Sequence, residues 1–167
     1  MNTGSTFCSD LLKELEAETP SSRKCLERIP AELFGWKPHE RSMETGYLAL
    51  IVAEIPKWIQ HTLDTTEIDF ATFEHAHPKT SAELVSHFDE NIQKAKEALE
   101  RASDETLKEA FALKNSGQLL FSSSKREMLV PMINHLVHHR GQLTIYMRLN
   151  NIPVPSIYGP SADDRSF

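Results

Sequence analysis

The stretch that decides the fold reads KREMLVPMINHLVHHRGQLTIYMRLN and runs from residue 125 to residue 150. At about 100° of rotation per residue, its apolar side chains recur on one side of a helix. The residues of this stripe are Leu129, Met132, Ile133, Leu136, Leu143 and Met147. The stretch therefore predicts an amphipathic helix whose apolar side packs against the core of a helical protein.

Three histidines lie on this predicted helix. His135 and His139 are four residues apart and share one edge of the apolar stripe, whereas His138 is rotated by about 60° from His135. Two imidazoles at this spacing suit one divalent cation such as zinc, nickel or iron, and the alternative is a structural or surface role. The pattern predicts that His135 and His139, rather than His138, face the interior as candidate metal ligands.

Two parts of the chain resemble the DinB/YfiT-like family of bacterial proteins. One part reads NHLVHHRGQLTIYMRL (134–149) and continues as NIPVPSIYGPSADD (151–164). The other reads FGWKPHERSM (34–43), followed by GYLA (46–49) and AEIPKW (53–58). The resemblance implies an all-α four-helix bundle with up-down-down-up topology, and a divalent-metal site with three histidines.

The resemblance also implies a departure at residue 51. Alignment of residues 46–56 with the family pattern places Ile51 where many members carry the first metal-binding histidine, and isoleucine has no ligand atom. Glu54 is a further candidate ligand, or else a rim carboxylate paired with a neighbouring helix, while His61 lies about 15 Å along a straight helix from Ile51. The expected site is thus an incomplete one, with weak zinc or nickel binding or none.

Two functions follow from the resemblance. The first is a metal-dependent thiol transferase or related enzyme, in which the metal activates a thiol or water and the substrate is a low-molecular-weight thiol. The second is a non-catalytic binding or stress-response bundle that has lost its metal because Ile51 replaces the histidine. The resemblance further implies a homodimer, for which Val137 and Ile145 offer apolar side chains away from the main stripe.

Composition limits the class of protein. The 167 residues are 40% hydrophobic, which suits one domain over residues 1–167 with a sizeable core. A net charge of −6 and the lack of a Lys/Arg cluster argue against a nucleic-acid partner. Neither a signal-peptide pattern nor an apolar run of bilayer length is present, so we expect a soluble cytoplasmic protein without a membrane partner.

The two cysteines are expected to remain reduced thiols. Cys8 and Cys25 are 17 residues apart on the predicted first helix, which corresponds to about 25 Å and is too far for a disulfide. Neither has a histidine nearby in sequence. The sequence therefore predicts that neither is a nucleophile.

Local signals place the remaining elements. A first helix is expected to be kinked or broken near Pro20, and a second, capped by Ser42, to be kinked at Pro56. Residues 65–80 form a long polar link that suits a crossover and in which His75 and His77 are more simply solvated than chelating. Thr80 or Ser81 caps a third helix, on which His87 points away from the apolar stripe.

Two further segments flank the histidine-bearing helix. Residues 110–124 predict a turn or short hairpin over one end of the bundle. Ser124 and Glu127 have the spacing of a capping box for the last helix. Beyond residue 150, three prolines predict an extended tail anchored by its apolar side chains, which are Ile152, Val154, Ile157 and Tyr158.

Overall fold

A computed structural model describes residues 5–166. The helices are α1 (Thr6–Arg28), a short 3₁₀ helix (Ala31–Leu33), α2 (Thr45–Asp64), α3 (Ser81–Arg101), α4 (Asp104–Lys108), α5 (Lys125–Leu129) and α6 (Met132–Leu149). The strands are β1 (Glu67–Asp69), β2 (Ala110–Asn115) and β3 (Gln118–Ser124). The four long helices form a closed ring in the order α1, α3, α2, α6, and α1 and α2 therefore lie at opposite corners.

The prediction of an all-α four-helix bundle is wrong, because the chain also forms a three-stranded mixed sheet. Strand β1 pairs in parallel with β2, with Ile68 opposite Leu113, and β2 pairs antiparallel with β3. The predicted hairpin is present as β2 and β3. Strand β1 lies in the segment predicted to be a plain link, since three residues with one buried side chain, Ile68, are too few to give an alternating pattern.

The stretch 125–150 forms two helices instead of the single one predicted. Helix α5 ends at Leu129 and α6 begins at Met132, with Pro131 at the N-cap position of α6. Proline has no backbone N–H to donate and favours the first turn of a helix over its interior. The capping box predicted for Ser124 and Glu127 is confirmed, and it starts α5.

The expected break at Pro20 is absent, because α1 continues through it. The side chain of Thr19 donates to the carbonyl of Leu15 at 2.7 Å, and the side chain of Ser22 donates to the carbonyl of Glu18 at 2.8 Å, so hydroxyls add hydrogen bonds in the turns next to the proline. Helix α2 continues through Pro56, where the kink stays a prediction, and its N-cap residue is Glu44, so the prediction that Ser42 caps this helix is wrong.

Other local predictions fit the structure. Thr80 is the N-cap residue of α3, and its side chain accepts from the Glu83 N–H. Cys8 and Cys25 are unpaired and buried, and burial raises the pKa of the Cys25 thiol to about 11. Apart from these local predictions, the described residues include no helix with the length and apolar character needed to cross a bilayer.

A buried arginine connects the tail to the helices. Arg140 on α6 is 2% exposed, and its Nη1 lies 2.6 Å from Oε2 of Glu18 on α1. The hydroxyl of Tyr158 accepts from Arg140 Nη2 and donates to Glu18 Oε1, both at 3.0 Å. The tail residues packed against the core are Ile152, Val154 and Ile157, whereas the Tyr158 ring remains largely exposed. Tyr158 is therefore held by its hydroxyl and not, as predicted, by burial of its ring.

Candidate ligand-binding cleft

A cleft of about 250 Å³ lies between α2, α6 and the segment that follows β1. Its lining residues are Tyr47, Ile51, Glu54, Ile55 and Trp58 from α2, Phe70 and His75 from the segment after β1, and His135 from α6. The α2 residues are spaced by three or four positions, which places them on one side of the helix. The walls are mainly apolar and aromatic, with Glu54, His75 and His135 as ionisable groups.

The histidines of α6 lie close together at one side of this cleft. The ring centroids of His135 and His139 are 4.7 Å apart, and His138 is exposed. His135 lines the cleft but remains open to solvent, while His139 is half-buried and its Nδ1 lies 2.8 Å from Oε1 of Gln142. Partial burial, together with His139 and His138, lowers the pKa of His135 below its usual value, which favours the neutral imidazole at pH 7.

Glu54 on the opposite wall is 2% exposed and is surrounded by donors. Its Oε1 accepts from the Ala76 N–H at 2.9 Å and lies 3.1 Å from Nε2 of His87. Its Oε2 lies 2.5 Å from Nδ1 of His75, and Nζ of Lys57 is 3.9 Å from Oε1. Burial by itself would raise the pKa of Glu54, but these hydrogen bonds and the nearby ammonium outweigh burial and lower it. Glu54 is therefore an ionised carboxylate with its oxygens already engaged.

These residues do not fit the three-ligand metal site that the resemblance implies. Ile51 lies in the cleft wall and has no atom that can coordinate a metal, and both oxygens of Glu54 are already hydrogen-bonded. His61 contacts the ring of Phe73 instead of lining the cleft. Within residues 5–166, no group of three or more His, Cys, Asp or Glu side chains has the arrangement of a metal site. His135 and His139 stay candidates for two ligands only.

The sequence did not predict the contacts of two histidines at this site. The sequence predicts that His75, like His77, is solvated and that His87 points away from the apolar stripe, yet both rings contact Glu54. Since the carboxylate is ionised, Nε2 of His87 carries the hydrogen directed at it. The amide nitrogen of Asn91, 3.2 Å from the same ring nitrogen, therefore donates to the carbonyl of Ala53, at 2.9 Å. The contacts of Glu54 with the two histidines span 21 and 33 residues, so no local pattern could reveal them.

Four long helices, a small mixed sheet and a histidine-lined cleft between α2 and α6 define a helical-bundle protein with a candidate small-molecule site. The sequence model of the DinB family matches residues 1–165, and the chain belongs to this family.

Individual relatives agree with this assignment. The uncharacterised protein YrdA of Bacillus subtilis strain 168 is 28% identical over 159 residues, which cover 92% of this chain and 89% of YrdA. A DinB-like protein from Bacillus subtilis has a similar structure, with a TM-score of 0.68 at 17% identity over 93% of this chain and 99% of its own. Another from Bacillus cereus ATCC 10987 also gives 0.68, at 23% identity over 90% and 97%. These structures support the fold alone.

Proposed function

We propose that this DinB-family protein binds a small, largely apolar molecule in the cleft between α2 and α6, without a tightly held metal ion. The observation that carries the proposal is the α2 wall, where Ile51 presents an apolar side chain to the cleft. Trp58 and Phe70 extend this apolar surface, with ring centroids 5.7 Å apart. Apolar walls with a few fixed polar groups are typical of small-molecule sites.

The size of the cleft favours a ligand built on a single ring. A dry apolar cavity of about 150 Å³ is known to accept benzene, so a space of about 250 Å³ leaves room for one ring and a few further atoms. Aromatic walls favour such a ligand, because offset or edge-to-face ring contacts add to the burial of apolar area.

A second candidate function is the metal-dependent thiol transferase reaction that family resemblance suggests. The adjacent rings of His135 and His139 favour it, as does the lowered pKa of His135, since a metal ligand must be unprotonated. Two imidazoles still leave at least half of the coordination sphere to water, which makes a bound ion easy to lose.

The binding proposal is tested with 4-nitroanisole, a single-ring molecule, by calorimetric titration in the presence of a chelator. We expect saturable binding to the parent protein and at least a roughly tenfold weaker affinity for Trp58→Leu, because that substitution removes an aromatic wall. Leu120→Ala is the control, since Leu120 is exposed on β3 outside the cleft. Absence of binding, or equal affinities for the parent and Trp58→Leu, would overturn the proposal.

A further inference from the structure

The contact between His75 and Glu54 gives the cleft a residue that can accept a proton. An ionised carboxylate has no proton to donate, so Nδ1 of His75, 2.5 Å from Glu54 Oε2, must carry the hydrogen. In the neutral imidazole this leaves Nε2 with a lone pair. The ring is 38% exposed and lines the cleft, where it is open to a ligand.

Neighbouring groups hold the His75 ring in this orientation. Phe73 packs edge-to-face against it, with ring centroids 5.2 Å apart. The N–H of Ala76, next in sequence, binds the same carboxylate, so the backbone and side chain of this segment are both attached to Glu54. The charged and titratable groups around the pair are Lys57, His87 and, across the cleft, His135. Among the described residues, no protein atom is hydrogen-bonded to Nε2 of His75.

We infer that His75 is the proton-accepting residue of the cleft, positioned by Glu54, and that the cleft takes a single-ring ligand that carries a hydroxyl group. This inference rests on the proposed function. In the proton-transfer step, the hydroxyl proton moves to Nε2 and the electron pair of the broken O–H bond stays on the ligand oxygen. The resulting imidazolium is stabilised by the Glu54 carboxylate, which itself remains unprotonated.

The hydroxyl specificity follows from the lone pair on Nε2 of His75. A carboxylate ligand has no hydrogen to donate to this atom, whereas an O–H group donates to it. A ligand without a donor leaves this acceptor unpaired when it displaces water. The structure therefore predicts discrimination between a hydroxyl compound and the ether in which a methyl group replaces that hydrogen.

The matched probes are 4-nitrophenol and its methyl ether, 4-nitroanisole, titrated separately into the full chain. We expect the phenol to bind roughly tenfold more tightly than the ether, in line with the value of one satisfied hydrogen bond. Ionised nitrophenol absorbs at longer wavelength than the neutral form, so absorbance reports the proton transfer. Bound nitrophenol is expected to be more ionised than the free probe at the same pH.

His75→Asn separates the proton acceptor from the structural contact. The asparagine amide retains an N–H near the position of Nδ1 and can still donate to Glu54, but it has no counterpart of Nε2. We expect this variant to keep its unfolding temperature and to bind both probes equally, without added ionisation of nitrophenol. His77→Ala, an exposed histidine two residues further along and outside the cleft lining, should behave like the parent.

Glu54→Gln tests Glu54 as a positioning residue. The backbone N–H of Ala76 and Nε2 of His87 both contact Oε1 of Glu54. In the Glu54→Gln variant these two donors should keep the amide oxygen at that position, so the NH₂ group points at His75. That group donates to Nδ1 and moves the imidazole proton to Nε2, which can then no longer accept. The preference for nitrophenol should disappear even though His75 is present.

The outcomes separate the two proposals. Equal binding of the two probes to the parent, a bound nitrophenol that stays un-ionised, or a preference that survives His75→Asn would overturn the assignment of His75 alone. Absence of binding by both probes would overturn the proposed function and this inference together.

Discussion

At the residue scale, the sequence predicted residues on two sides of the cleft and missed the histidines that contact Glu54. Helical spacing identified His135 and His139, the family pattern identified Ile51, and the structure brings Ile51, Glu54 and His135 to one cleft. The contacts of Glu54 with His75 and His87 could not be predicted, because residues far apart in sequence meet only after α2, α3 and the intervening segment have packed.

Ile51→His introduces the histidine that the family resemblance implies at this position. In chelator we expect this variant to be about 1 kcal/mol less stable than the parent, since a half-buried imidazole loses hydration. Added zinc or nickel should raise the melting temperature of Ile51→His more than that of the parent. A metal that binds only the folded state stabilises that state by about 2.7 kcal/mol when its free concentration is 100 times Kd. The measurement is thermal unfolding of tag-free protein with and without metal.

Two histidine substitutions in the Ile51→His background make this test specific. His135→Ala should abolish the metal-induced gain, while His138→Ala should leave it intact because His138 is exposed on the helix. A metal-induced rise in the melting temperature of the parent equal to that of Ile51→His would contradict the proposed loss of metal affinity and favour the second candidate function.

The buried ion pair of Arg140 and Glu18 gives a prediction about stability. Arg140→Ala should lower the free energy of unfolding by about 3–5 kcal/mol, because it leaves a buried carboxylate without its partner. Arg101→Ala is the matched control: Arg101 pairs with Asp64 at the same 2.6 Å, but both side chains are partly exposed, so its loss should cost about 1 kcal/mol or less. Urea unfolding measures both, and equal losses would contradict the prediction.

At the scale of elements, the long helices were predictable and the short strand was not. Apolar periodicity and side-chain caps give α3 its start at Ser81 and α5 its start at Lys125. The division at Pro131 follows from the missing donor of proline, a signal present in the sequence but outweighed there by the continuous apolar stripe. Strand β1 depends on pairing with β2, about 45 residues later, and its own three residues do not specify it.

Two helical glycines should respond in opposite directions to alanine. Gly141 on α6 has no atom within 4 Å of a new Cβ, so Gly141→Ala should stabilise the protein by up to about 1 kcal/mol through higher helix propensity. Gly46 on α2 would place its Cβ 2.8 Å from Cβ of Phe34, so Gly46→Ala should destabilise it by about 1–3 kcal/mol. Chemical denaturation measures both, and a destabilising Gly141→Ala would contradict the reading of α6.

At the scale of the whole molecule, the described part of the chain exposes apolar side chains on α6 and on β3. On α6, Ile145 is 60% exposed, while Val137 packs partly against the core and so contributes less than its sequence position suggested. On the edge strand β3, three consecutive residues are each more than half exposed: Leu119, Leu120 and Phe121. Contiguous exposed apolar surface is typical of contact sites between proteins, and either surface is available to a second copy of the chain.

We propose that the chain forms a homodimer through the α6 surface, as resemblance to the family suggests. Light scattering at micromolar concentration should give twice the chain mass of 19.0 kDa. Ile145→Glu places a carboxylate in a two-fold interface. There it faces the same carboxylate of the second chain or loses its hydration without a partner, so this variant should be monomeric. Phe121→Glu is the control and should remain dimeric. A parent mass of 19.0 kDa would contradict the dimer, whereas dissociation by Phe121→Glu alone would move the interface to β3.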